Sequence, residues 1–405
     1  MRFRTALILA CAARAMPLNA QIPNQSSALT RADAVQAALD HGARLGVARA
    51  DTAVANAALI TARARPNPTL SATYSAATPS YHLIADIPID FPWLRRLRVQ
   101  AAQLGLQAAQ YRYQFARATI ALDADTTYTH AIAARERVAL SRRNALDADS
   151  LLHMVERRRD AGDASDMDVE LARVNAGQES NTATSDSLTW LSALLDLQAV
   201  LGLGNGELQI NATDSLTAPP DIVAPAQQTL NERAASASLE SAALTAQLQH
   251  RSVWSDFSLN GGIEYHDPGG QTGLLPTFGI GVGIPIFSHN RGPIAEAEAE
   301  RTRAAAELAL AGVEARNDIA HATRERANAL SRIERDRTVV ASADRVASMS
   351  LTAYREGASS LPNVLAAQRS ARDVLSQYID DLANAWIATA ELRVLAISPA
   401  SGGQP

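Results

Sequence analysis

The chain has 405 residues, 47% of them hydrophobic but only 4% aromatic, and a formal charge of -5 at pH 7. That apolar content excludes a disordered chain, and the net charge gives no attraction to nucleic acid or anionic membranes. No uncharged apolar run reaches the roughly 18 residues of a membrane-spanning helix.

The amino terminus reads as an export signal. Arg2 and Arg4 precede the apolar stretch Thr5 to Ala13, and Leu18-Asn19-Ala20 supplies a small-residue cleavage site, so residues 1–20 are expected to be removed. Cys11 follows Ile8-Leu9-Ala10, which also fits a lipoprotein box, and lipidation at Cys11 is the second processing reading. Under either reading the exported chain holds no disulfide, because Cys11 is the single cysteine.

A helix is expected from about Ala32 to Arg63, stopped by Pro66-Asn67-Pro68. Two alternating segments follow, at about 69–76 and 82–90. Leu70, Ala72 and Tyr74, then Leu83, Ala85, Ile87 and Ile89, share apolar faces; hydroxyls, His82, Asp86 and Asp90 take the others. From Trp93 to Arg159 no proline occurs, and Leu97, Ala101, Leu104, Ala108, Tyr111, Phe115, Ala118 and Leu122 step by four and three. This predicts a coiled-coil rod of roughly 100 Å. It breaks at Gly162, and a return helix is expected from about Asp166 to Leu201.

The same order then recurs. Gly162, Ser165, Asp168, Val169 and Ala172 are matched by Gly357, Ser360, Asn363, Val364 and Ala367, each 195 residues later. Strands are expected at about 256–265 and 277–287, a second rod from about Ile294 to Glu356, and a return helix from Leu361 to Ile397. Two repeats, 29–202 and 228–397, are thus joined by a Gly/Pro-rich linker at 203–227 and followed by a tail at 398–405. Pro88 and Pro285 stand where strands give way to rods, since proline cannot continue a ladder. The fold class is mainly α with a small β part.

The strands alone fit a soluble sheet with one wet face as well as a membrane sheet. The rods add that four strands cannot close a barrel and that open edges are unsatisfied in lipid. A chain of this kind that enters a membrane must therefore lend its strands to an oligomeric barrel. A periplasmic coiled-coil scaffold is the other architecture open at this point.

The duplicated order of hairpin, long helix, Gly-x-x-Ser-x-x-Asp/Asn-Val turn and return helix resembles the TolC-type outer-membrane efflux proteins, over about Leu29 to Ile397. The segment Ile284-Pro285-Ile286-Phe287-Ser288-His289-Asn290-Arg291-Gly292-Pro293-Ile294 resembles the strand–helix junction of the cobalt–zinc–cadmium cation-efflux branch, with Asn290 and Gly292 at the turn. The resemblance implies a homotrimer with a 12-stranded barrel in outer-membrane lipid and a helical barrel in the periplasm. It also implies a periplasmic adaptor and an inner-membrane pump of the RND type, or else the outer-membrane part of a type I protein secretion system. The turns at Gly162, Ser165, Asp168 and Val169, and at Gly357, Ser360, Asn363 and Val364, would be the periplasmic tips where an adaptor docks.

Members of that family often carry Tyr, Arg and two Asp at the second tip. Here Tyr354 matches, but Ser359, Asn363 and Ala366 stand at the other positions. A pore constriction would then draw on Asp163, Asp166, Asp168 and Tyr354. The eight histidines form no metal-binding pattern, and no nucleophile–base set is spaced for catalysis, so no metal, cofactor or enzymatic activity is expected.

Overall fold

The computed structural model describes residues 27–41, 43–77, 79–203, 210–222, 228–254, 256–265 and 273–397. The expected signal peptide 1–20 with Cys11, the tail 398–405 and parts of the 203–227 linker lie outside the described residues. In chain order the elements are β1 (Ser27–Leu29), α1 (Arg31–His41), α2 (Ala43–Arg63), β2 (Thr69–Tyr74), β3 (Tyr81–Pro88), α3 (Pro92–Asp160) and α4 (Asp166–Val200). They continue with β4 (Ile210–Ala212), α5 (Leu230–Arg251), β5 (Phe257–Tyr265), β6 (Leu274–Val282), α6 (Arg291–Arg355) and α7 (Leu361–Leu395). Among the described residues no helix is long and apolar enough to cross a membrane.

The rods α3 and α6 have 69 and 65 residues, each about 100 Å long. Near the strands α2 packs on α3, and α5 packs on both α3 and α6; toward the far end α4 returns along α3, and α7 along α6 and α3. Alanine makes this approach close. The buried positions of α6 include Ala297, Ala304, Ala311, Ala315, Ala322 and Ala329, a small-residue seam at steps of seven and four. In α3 the expected seam is buried at Leu97, Ala101, Ala108 and Ala118, whereas Phe115 is exposed.

The strands form one antiparallel sheet in the order β2-β3-β5-β6, so each half contributes a hairpin and the two hairpins meet at β3 and β5. Three boundaries differ from the sequence reading. The first hairpin strand ends at Tyr74 and not at 76, while α1 and α2, described on either side of residue 42, together cover the helix expected from about Ala32 to Arg63. The second strand starts at Tyr81 and ends at Pro88, which still pairs with Ser258. The last strand runs Leu274–Val282 and not 277–287. Its final ladder bond is Gly283 N to Asp256 O at 2.7 Å, and Pro285, which has no N–H, lies beyond it. At its other end β6 includes Pro276, opposite Ile263, on the outermost strand of the protomer's sheet.

At Gly262 the first hairpin leaves no room for a side chain. A Cβ there would stand 2.5 Å from Leu83 O and 3.1 Å from Ile84 Cα. Gly262→Val is expected to destabilise the folded protein by about 1–3 kcal/mol through overpacking. Urea titration of the solubilised protein measures this, with Gly279→Ala, whose Cβ would meet only Asn260 Cβ at 3.9 Å, as the tolerated control.

Midway along α3 a second core gathers the short elements. β1 pairs in parallel with β4, and Ala34, Ala38, Ile120, Tyr128, Ile132, Leu194 and Leu197 pack beneath them. Arg31 enters this core between the rings of Trp386 (3.9 Å to the centroid) and Tyr128 (5.4 Å). It forms an ion pair with Asp125 and donates to Thr129 Oγ1 at 2.8 Å. Arg393 of α7 lies 3.6 Å from the other Asp125 oxygen. Tyr128 donates to Leu29 O at 2.8 Å, and burial pushes its phenol up to about 12. These bonds join the start of the chain, the middle of α3 and the end of α7.

Candidate functional site

Two regions carry the predicted site residues, at opposite ends of the rods. The first is the sheet. Its register places Leu70, Ala72 and Tyr74 beside Tyr81, Leu83, Ala85 and Ile87, then Leu259, Ile263 and Tyr265, then Leu274, Phe278, Ile280 and Val282, all on one face. That face is apolar and uncovered: Phe278 is 84% exposed, Ile280 71% and Leu70 71%. The opposite face carries Thr69, Ser71, Thr73, His82, Asp86, Ser258, Asn260, Glu264 and Thr277, with His82 Nδ1 3.3 Å from Glu264 Oε1. Exposed apolar area of this extent is costly in water, and an apolar face backed by a polar one fits a wall between lipid and an aqueous lumen.

Aromatic rings bound the apolar face at both ends. At the outer end Tyr81 lies 5.1 Å from Tyr74 and 6.4 Å from Tyr265, centroid to centroid. At the helix end Phe91 stacks on Trp93 at 4.6 Å and meets Phe257 edge-on at 5.5 Å. The nine residues of β5 between these clusters span about 30 Å when extended, enough, with tilt, for an apolar band of about 25 Å.

The strand–helix junction residues sit at that helix end. Asn290 adopts a left-handed conformation (φ 59°) at the start of α6, and its Nδ2 donates to Gln249 O at 2.9 Å and Ser252 Oγ at 3.1 Å. It thereby fixes where α6 leaves α5. Gly292 lies inside the first turn of α6, and a Cβ there would meet nothing within 4 Å.

The second region is the pair of tips. Both rods end alike: Gly162 (φ 85°) and Gly357 (φ 74°) take the left-handed region that a side chain disfavours. Asp163 N donates to Arg158 O and Ala358 N to Ala353 O, each at 2.8 Å, closing matched Schellman turns. The starts of the return helices differ. Ser165 Oγ accepts from Asp168 N, and the Asp168 carboxylate accepts back from Ser165 N at 3.1 Å, a capping box. Ser360 holds the equivalent backbone position but makes no side-chain cap; Pro362 in the following turn has no N–H to offer.

Between the tips Val155, Val169, Tyr354, Leu361 and Val364 form one buried cluster, so the two glycine motifs are brought together. Tyr354 is 5% exposed and therefore faces the core of this protomer. Burial raises its phenol pKa, and its hydroxyl is buried without a hydrogen-bond partner. Arg158, which sequence reasoning missed, lies over its ring at 4.7 Å and donates to its carbonyl. Asp163 and Asp166 are exposed, whereas Asp168 is engaged in the cap. Arg157, Arg158 and Arg159 occupy the last turn of α3, and Arg159 lies 2.6 Å from Asp160 and 4.0 Å from Asp166. Among the described residues no group of three His, Cys, Asp or Glu side chains is placed to hold a metal ion.

Solved structures superpose on this arrangement over nearly its whole length. CusC matches with a TM-score of 0.78 at 17% identity, over 90% of this chain and 91% of that one. The outer-membrane protein VceC of Vibrio cholerae matches with a TM-score of 0.74 at 19% identity, over 90% of this chain and 96% of that one. The chain has the fold of the TolC-type outer-membrane channels. No family model matches the sequence. A curated relative, the pyoverdine export outer membrane protein OpmQ of Pseudomonas aeruginosa, is 25% identical over 303 residues. These cover 71% of this chain, which spans 63% of that protein's length.

Proposed function

We propose that this chain is a subunit of an outer-membrane efflux channel in a Gram-negative-type envelope. Three copies would join β6 of one protomer to β2 of the next, closing a 12-stranded barrel continuous with a long periplasmic helical barrel. Solutes would pass passively, driven by an inner-membrane pump of the RND type through a periplasmic adaptor that docks at the Gly162 and Gly357 tips. The observation that carries this reading is the sheet: one uncovered apolar face between two aromatic clusters, two edges without ladder partners among the described residues, and a largely polar face opposite. A soluble scaffold has no use for that face. The cargo within this reading is metal cations or drugs, with the pump choosing: the junction from Ile284 to Ile294 resembles the cation-efflux branch, and the OpmQ likeness adds other small exported solutes. Planar-bilayer recording tests the channel: reproducible single-channel steps support it, and purified protein that leaves the bilayer silent contradicts it.

Within this channel the constriction is assigned to Asp163 and Asp166 of the first tip, because Tyr354 is buried and Asp168 is engaged in its cap. Three copies of each carboxylate around the axis would make a cation-attracting ring. The double variant Asp163→Asn, Asp166→Asn is expected to weaken block of conductance by multivalent cations roughly tenfold or more, as losing a cluster of ring charges implies. Undiminished block would remove these residues from the constriction.

A further inference from the structure

Where the first hairpin meets α3, the chain gathers arginines around one acid. The side chains of Arg95 and Arg98 reach back to the end of α2: Arg95 Nη2 donates to Arg63 O at 2.8 Å, and Arg98 Nε to Ala62 O at 3.0 Å. Both also lie on Asp90, Arg98 Nη2 at 3.0 Å and Arg95 Nε at 3.7 Å from its Oδ2. The single carboxylate is therefore already shared by two guanidinium groups. Arg95 Nε is buried and has no hydrogen bond. Arg63, Arg65 and Arg96 are exposed, and among the described residues their side chains have no ion-pair partner.

Arg63, Arg65, Arg95 and Arg96 line one cavity of about 780 Å³ together with Asp90, Gln100, Ile87 and Pro88; the Asp90 carboxylate there is the one already held by Arg95 and Arg98. Ile87 belongs to the apolar face of the sheet, and Trp93 and Phe91 of the helix-end aromatic cluster flank the same corner. The cavity thus opens where a membrane's hydrocarbon gives way to its headgroups. It concentrates positive charge in a chain whose net charge is -5. Guanidinium is the side chain best suited to phosphate, offering paired donors in a plane, and basic pockets at an interface select lipid headgroups.

We propose that this cavity binds the phosphate of an anionic phospholipid in the periplasm-facing leaflet, with Arg63, Arg65 and Arg96 as its contacts and Arg95 as its inner wall. The proposal rests on the membrane reading above. It gives the first hairpin a fixed depth: the bound headgroup marks the level at which the strands end and the rods begin.

The test is lipid binding by the purified full-length protein. Wild type and the triple variant Arg63→Gln, Arg65→Gln, Arg96→Gln are titrated with dioctanoyl phosphatidylglycerol, dioctanoylglycerol and inorganic phosphate. Among the described residues these three side chains have no hydrogen-bond partner, so the variant should fold as wild type does. The expected result is phosphatidylglycerol affinity lowered roughly tenfold or more in the variant, the scale of one or two charge-assisted contacts. Wild-type binding should weaken with salt, and dioctanoylglycerol should bind weakly and equally to both. Equal phosphatidylglycerol binding by the two proteins would overturn the site. Inorganic phosphate that competes as well as the lipid does would overturn the lipid assignment in favour of a free anion. Conductance of both proteins in neutral phosphatidylcholine bilayers separates the two levels: if both conduct but bind lipid alike, this inference fails and the channel reading stands. If neither enters the bilayer, the channel reading itself fails.

Discussion

Asp125→Ala should lower the stability of the helical shaft by about 3–5 kcal/mol, the cost of stripping one partner from a buried ion pair. Arg31 and Arg393 would lose their shared carboxylate, leaving one guanidinium sandwiched between Trp386 and Tyr128 without a counter-charge. Asp125 is 7% exposed, so water cannot replace what is removed. Arg31→Met, which removes charge and keeps bulk between the rings, should cost less, because Arg393 still faces Asp125. Chemical denaturation followed by helix content gives both values. Equal, sub-kilocalorie effects would mean that the pair contributes only as a surface ion pair does.

The second large effect lies on the sheet. Phe278→Arg places a charge on the uncovered apolar face, at the middle of β6 and opposite Gly261. In a bilayer that costs about 2–4 kcal/mol per strand near the midplane, and a threefold assembly incurs it three times. The variant should express as a folded helical protein yet fail to insert, recovered in the soluble or aggregated fraction. Gly279→Ser, one residue away on the polar face, should insert normally. If Phe278→Arg inserts as well as wild type, the apolar face does not meet lipid.

Much of this architecture was legible in the sequence because its signals are local and repeated. The steps of four and three predicted α3 and α6, the period of two predicted the four strands, and the shared Gly-x-x-Ser motif located both tips. The boundaries that moved did so for reasons held elsewhere in the chain. β6 extends back to Leu274 because Tyr265 and Glu264 offer it ladder partners, and it stops at Val282 although the alternation continues to Ile286, because Asp256 supplies its last bond. The partners of Tyr354 were not legible: Arg158 lies 196 residues away, and nothing local announces that the tyrosine turns inward. The Arg31–Asp125 pair joins residues 94 apart, and the arginine cavity is assembled from the end of α2, the end of β3 and the first turns of α3. Each depends on how the rods are packed, which periodicity constrains only through the alanine seam.

In the proposed channel the open sheet edges call for neighbouring chains, and counting those chains tests the account most directly. Native mass spectrometry of the detergent-extracted protein, with the detergent removed in the gas phase, reads the number of chains per particle. The account predicts three chains, dissociating only on conditions that also unfold the strands. A folded particle of one or two chains that retains its strand content would contradict it, since four strands cannot close a barrel and eight would close one whose interior side chains fill, leaving no conduit.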